Sequence, residues 1–122
     1  MTRERLAVLQ WLGLGLGGIA WFSYHVLGYF LTEGTCDSAG FSINHDLWQA
    51  VLMSVAAALV LSAGAAAVAV LVDTRGTSYD AEAPPGRIRF FAMAAVTANL
   101  LFLMIVLLDG LGAIFNVACT QA

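Results

Sequence analysis

Residues 88–108 read IRFFAMAAVTANLLFLMIVLL. In this run of twenty-one residues one arginine stands near the start, and Thr97 and Asn99 are the only polar side chains in its body. At 1.5 Å per residue a helix of this length reaches about 31 Å, the thickness of a bilayer's hydrocarbon layer. A core helix of a water-soluble domain would show a polar stripe over about six turns, and none is present. The run is read as a transmembrane helix, with Arg87 and Arg89 at one end and Asp109-Gly110 closing the other. The remaining segments are then its partners.

Composition agrees. The chain has 122 residues, 61% hydrophobic and only 11% charged, where a soluble domain carries about 25% charged residues. That length holds three spans with short connections, one transmembrane domain over 1–122, and no separate soluble domain. The net charge of −3 gives no basis for nucleic-acid binding, which draws on clustered cations. Lysine is absent and alanine abundant, a bias common in GC-rich bacterial genomes.

The first span is expected over about 6–31. A secretory signal also opens with arginines and an apolar run, but its core is about 7–15 residues long and a small-residue cleavage site follows. Here the run is far longer, and a retained helix is expected. Gly13, Gly15, Gly17 and Gly18 follow no strand, so a phosphate-cradling loop is disfavoured. Gly13 and Gly17 at i and i+4 are instead read as a flat helix face for close packing. Residues 32–46 form a polar loop in which Asn44 or Asp46 can cap the next helix. The second span is expected over about 47–72. Ala50, Ser54, Ala58, Ser62 and Ala66 recur every four residues there, a ridge without side-chain bulk that another helix can approach closely. The second span is therefore expected to be the central packing element. Residues 73–87 form the second loop, in which Pro84-Pro85-Gly86 marks a turn before the third span over about 88–108. The tail, 109–122, is too short to cross again and apolar enough to lie at the interface.

All five basic residues fall in two places, Arg3 and Arg5 before the first span and Arg75, Arg87 and Arg89 around the second loop. Basic residues flanking short spans stay on the cytoplasmic side. The N-terminus and second loop are thus expected in the cytoplasm, and the first loop and C-terminus outside. The outer side then carries Glu33, Asp37, Asp46 and Asp109 with no arginine. Such an acidic face can steer a basic soluble partner such as a cytochrome c, although exclusion of arginine from that side is the favoured reading.

Cys36 and Cys119 are the only cysteines, and this topology puts both on the outer side. Thiols in an oxidising compartment can pair, so a structural Cys36–Cys119 disulfide is expected, ahead of unpaired thiols. Two thiols and a histidine fall short of a metal site, and the CxxC spacing of a redox pair is missing. His25 and His45 raise the question of haem, because an ionisable group inside a membrane is a functional candidate by default. His25 lies deeper than His45, so one iron is not expected to reach both, and His25 is read instead as an imidazole hydrogen-bonded to a neighbouring helix. Thr97 and Asn99 are read in the same way, as interhelical partners. Asp109 is read as a helix-end residue wetted by the interface. Trp21, Tyr24 and His25 are read as a packing surface before a quinone or lipid groove.

The run GGIAWFSYHVLGYFLTEGTC, residues 17–36, resembles the first helix of small bacterial membrane proteins encoded beside haem–copper cytochrome c oxidases. The matching features are Gly17-Gly18, Ala20-Trp21, Tyr29 and Cys36, then His45 before the second span. Arg89-Phe90 opens the third span, and Gly110-Leu111 and Cys119 follow it. No proline follows Gly17, and Gly-Leu-Gly replaces Gly-Leu-Pro in the tail. The resemblance implies a non-enzymatic accessory subunit of a respiratory oxidase or supercomplex in the bacterial inner membrane. Its partners would be lipids and other membrane subunits, and it would carry no cofactor of its own. A haem- or quinone-binding anchor subunit, with His25 and Tyr29 as the binding residues, is the alternative, beside a subunit of a photosynthetic complex. A transporter is disfavoured, because no span carries a carboxylate at its centre.

Overall fold

A computed structural model describes residues 1–36 and 43–115. It comprises three helices, α1 (Arg3–Cys36), α2 (His45–Asp73) and α3 (Pro85–Phe115), each long and apolar enough to cross a membrane. No strand occurs among the described residues. This is the fold expected of a multi-pass membrane protein. The C-terminal end of α1, the start of α2 and the end of α3 form the histidine end; the opposite end carries the arginines.

Helix termini follow local chemistry. Asn44 caps α2 by accepting the Leu47 N–H through its side chain at 3.1 Å, one of the two capping residues expected. Pro85 occupies the first position of α3, where its missing N–H is no loss and its fixed φ suits a helix. Three expected boundaries move, the first being the start of α3, which takes in Pro85-Gly86 and Arg87 that were expected in the second loop. Thr32–Cys36 belongs to α1, and Gly110–Phe115 continues α3 for six residues beyond Asp109. Neither glycine-containing segment stops its helix, since no described residue has positive φ. Gly110 serves packing instead: a Cβ there would run into the Met53 side chain of α2. The first loop is correspondingly shorter than expected, and the part of the tail beyond Phe115, with Cys119, lies outside the described residues.

The interior is built on a 3-4 repeat. On α2 the residues facing inward are Gln49, Met53, Ala56, Val60, Ala63, Ala67 and Val70. On α1 they are Gly13, Gly17, Ala20 and Tyr24, and on α3 Ala92, Ala95, Asn99, Val106 and Gly110. This seven-residue period is the signature of left-handed helix packing. α2 packs against both neighbours more extensively than they pack against each other, so it is the central element, as expected. Small residues fill the interior, while Trp11, Phe22, Leu100, Met104 and Leu108 are turned outward. That inversion of the soluble pattern suits a lipid solvent, in which helices associate through close contact and hydrogen bonds rather than by hiding apolar bulk.

The ridge on α2 is placed differently from the expectation. Ala66 is buried and Ala50 half-buried, but Ser54, Ala58 and Ser62 face away from the bundle. Successive residues turn 100°, so a four-residue step drifts about 40° and the row from Ala50 to Ala66 winds through about 160°. It cannot stay on one interface. Both serines donate to carbonyls of their own helix, Ser54 to Ala50 at 2.7 Å and Ser62 to Ala58 at 2.8 Å. Of the α1 glycines, Gly13 and Gly17 do pack as expected. A Cβ on Gly13 would lie 3.0 Å from Ala67 Cβ and 3.1 Å from its backbone, which marks a close approach of α1 to α2.

Candidate functional site

Three polar clusters interrupt the apolar bundle. At the arginine end, Arg89 donates to the Leu71 and Thr74 carbonyls at 3.2 and 2.8 Å and to Tyr79 Oη at 3.3 Å. Its guanidinium lies 4.7 Å above the Tyr79 ring. The last carbonyls of α2 have no helical partner, and a cation there also complements the helix dipole. Arg89 therefore fastens the start of α3 to the end of α2. It is a structural clamp as well as a topology signal, a role that counting arginines did not show.

At mid-bundle, Asn99 Nδ2 donates to Gly13 O of α1 at 2.7 Å and to Ala95 O of its own helix at 2.8 Å. Its Oδ1 takes the space that a Cβ on Gly17 would fill. Asn99 is the interhelical partner that was expected. Thr97 is not: it is exposed and bonds back to Met93 O of its own helix at 3.2 Å.

The histidine end holds the densest chemistry. His25 Nδ1 lies 3.5 Å from Asp109 Oδ2, bridging α1 and α3, with side chains 63% and 44% exposed. His25 thus does face a neighbouring helix, through a carboxylate. Asp109 is not the helix-end residue expected but an intrahelical one, because α3 continues past it. Beside them Gln49, only 2% exposed, donates through Nε2 to Gly28 O at 3.2 Å and to Thr32 Oγ1 at 3.3 Å. Thr32 Oγ1 lies 3.1 Å from His45 Nε2, and His45 Nδ1 lies 3.3 Å from Asp46 Oδ1. The directions are mutually consistent: Thr32 accepts from Gln49 and donates to His45, which carries its hydrogen on Nδ1 toward Asp46. Both nitrogens of His45 are engaged, so it cannot ligate an iron without giving up this network.

Tyr24, His25, Tyr29, Thr32, Gln49 and Asp109 line a cleft of about 220 Å³ at this end. Tyr24 is buried while Tyr29 is exposed. Trp21 stacks on His25 and on Phe102, with centroids 6.2 and 5.6 Å apart, which is the packing role expected of it. Tyr24 and His25, however, do line a groove. Sequence reasoning missed Gln49. Its signal was a carboxamide just inside the second span, at a position of the inward-facing repeat that becomes visible only once the repeat is known. Of the two cysteines, Cys36 ends α1 at this same end, and Cys119 lies outside the described residues. Among the described residues no three His, Cys, Asp or Glu side chains converge in a manner that would hold a metal ion. No protein family, curated protein or solved structure matches this chain.

Proposed function

We propose that this chain is a non-catalytic accessory subunit of a bacterial respiratory membrane complex, an oxidase or supercomplex, that docks laterally on a larger subunit. The observation that carries the reading is the outward ridge of Ser54, Ala58 and Ser62 on the central helix. Val55 and Leu61 stand exposed on either side of the ridge. A helix of a neighbouring subunit can seat its side chains in such a channel and approach the backbone closely. Because both serine hydroxyls are satisfied within α2, the face asks nothing polar of its partner.

The resemblance to oxidase-associated proteins supports the identity of the complex, and the arginine distribution supports insertion into the cytoplasmic membrane with the N-terminus inside and the C-terminus outside. In that topology Cys36 and Cys119 share the oxidising side, and a bridge between them ties the tail to α1. Unreduced mass spectrometry tests it: two alkylatable thiols would remove the bridge from the proposal. The docking role is tested by affinity purification from native membranes in mild detergent. Co-purification of respiratory subunits, lost in Ala58→Leu, is the expected result, and recovery of the chain alone would overturn the reading.

A further inference from the structure

The cleft at the histidine end has properties that lateral docking does not use. Gln49 Nε2 is committed to Gly28 O and Thr32 Oγ1. A carbonyl can only accept, so the amide orientation is fixed and Oε1 is an acceptor; it is buried and has no donor. Oε1 lies on the Gly28 side, 3.5 Å from where a Cβ on Gly28 would stand, and Gly28 is part of the cleft wall. Asp109 adds a carboxylate acceptor to the same cleft. The site is thus rich in acceptors and calls for a ligand that donates hydrogen bonds.

Position and size narrow the class. His25 and Tyr29 are exposed on the outer surface of the bundle, so the mouth opens outward and not into a helix interface. Counting along the helices, Gln49 lies about 6 Å, Asp109 about 9 Å and His25 about 16 Å below their tips, which sets the cleft across the headgroup layer and the edge of a ~30 Å hydrocarbon layer. An apolar cavity of about 150 Å³ admits a benzene ring, and this cleft of about 220 Å³ has room for one substituted ring between Tyr24 and Tyr29. An ethanolamine lipid also offers donors, but its phosphate would face Asp109, and all five arginines are at the opposite end. A neutral aromatic diol meets no such repulsion.

We propose that this cleft binds the head group of a membrane quinol, with a phenolic hydroxyl donating to Gln49 Oε1 or Asp109, the ring beside Tyr29 and the tail leaving along the lipid-facing side of α1. The inference goes beyond the docking role and does not rest on it. Its test uses the isolated full chain, so a missing partner complex cannot decide it.

Native mass spectrometry of the chain from phosphatidylcholine nanodiscs, doped equally with decylubiquinol, decylubiquinone and phosphatidylethanolamine, identifies the occupant by mass. One quinol adduct per chain is expected, in preference to the quinone, which has no hydroxyl to donate. Gln49→Leu and Asp109→Leu should each weaken it about tenfold or more, close to 1.4 kcal/mol. Gly28→Ala is the control for folding, because its Cβ makes only an ordinary contact while narrowing the cleft. It should keep the helical circular dichroism of the parent and lose the adduct. Equal quinol adducts in parent and variants, a phosphatidylethanolamine adduct in its place, or no adduct at all would each overturn the proposal.

Discussion

Asn99 and Gln49 are two buried carboxamides that do the same thing at two levels of the bundle. Each donates to a backbone carbonyl of α1, Gly13 O for Asn99 and Gly28 O for Gln49, and each sits against an α1 glycine. The outcomes differ. Around Asn99 the α1 side closes tightly, and the oxygen occupies the very space that Gly17 leaves by lacking a side chain, although a cleft of about 190 Å³ opens beside it between α2 and α3. At Gln49 the amide stands farther from its glycine, Gly28 would accept a methyl group, and the oxygen faces no donor. The first is a joint that fixes the register of α1 against α3. The second is the wall of a cleft. A glycine beside an amide therefore means fold in one place and a candidate binding site in the other, and how closely the amide approaches the glycine decides which.

The contrast can be broken experimentally. The largest effect is expected for Gly17→Ala, whose Cβ would collide with Asn99 Oδ1; overpacking of this kind costs about 1–3 kcal/mol, to be read from detergent-titrated unfolding of the reconstituted chain. If Gly17→Ala proves neutral, the joint is not tight. Next comes Asn99→Ala, which removes the bond to Gly13 O and should cost about 0.6–2 kcal/mol, the range for hydrogen bonds between membrane helices. Gln49→Leu should cost less than Asn99→Ala in the same titration. It gives up two bonds to α1, to Gly28 O and Thr32 Oγ1, but also removes the buried oxygen that has no donor, and such an oxygen carries a penalty of about 1–3 kcal/mol. A larger loss than for Asn99→Ala would show that Gln49 is a structural joint after all. Smallest of all is Ser62→Ala, exposed and bonded only within its own helix, which should leave unfolding unchanged within about 0.5 kcal/mol.

The three spans, their order and the segregation of arginine to one end were legible from residue identity. Twenty or more apolar residues have few alternatives to a spanning helix, and charges mark where it must stop. The inward face of α2 was not legible. In a soluble helix the polar residues would have revealed it by contrast, but in lipid both faces are apolar and the contrast vanishes. The four-residue ridge therefore looked like the interface, when helical geometry carries it out of the bundle and the seven-residue repeat from Gln49 to Val70 does the packing.

The site was legible in parts. His25, Tyr29 and Asp109 stand out as polar residues in or beside an apolar run, and Asn99 was correctly read as a bond between helices. That His25 meets Asp109, and that Gln49 lies beside them, required the helices to be packed, because the three residues come from three different segments.

Residue chemistry alone makes this a three-span membrane protein with its cations at one end, since transfer of side chains between water and hydrocarbon depends on what they are and not on their neighbours. Which of the α1 glycines are joints, where the helices end and which amide keeps an unmet acceptor were decided by the bundle. Each of these depends on how closely a second helix approaches, and that distance is a property of the pair.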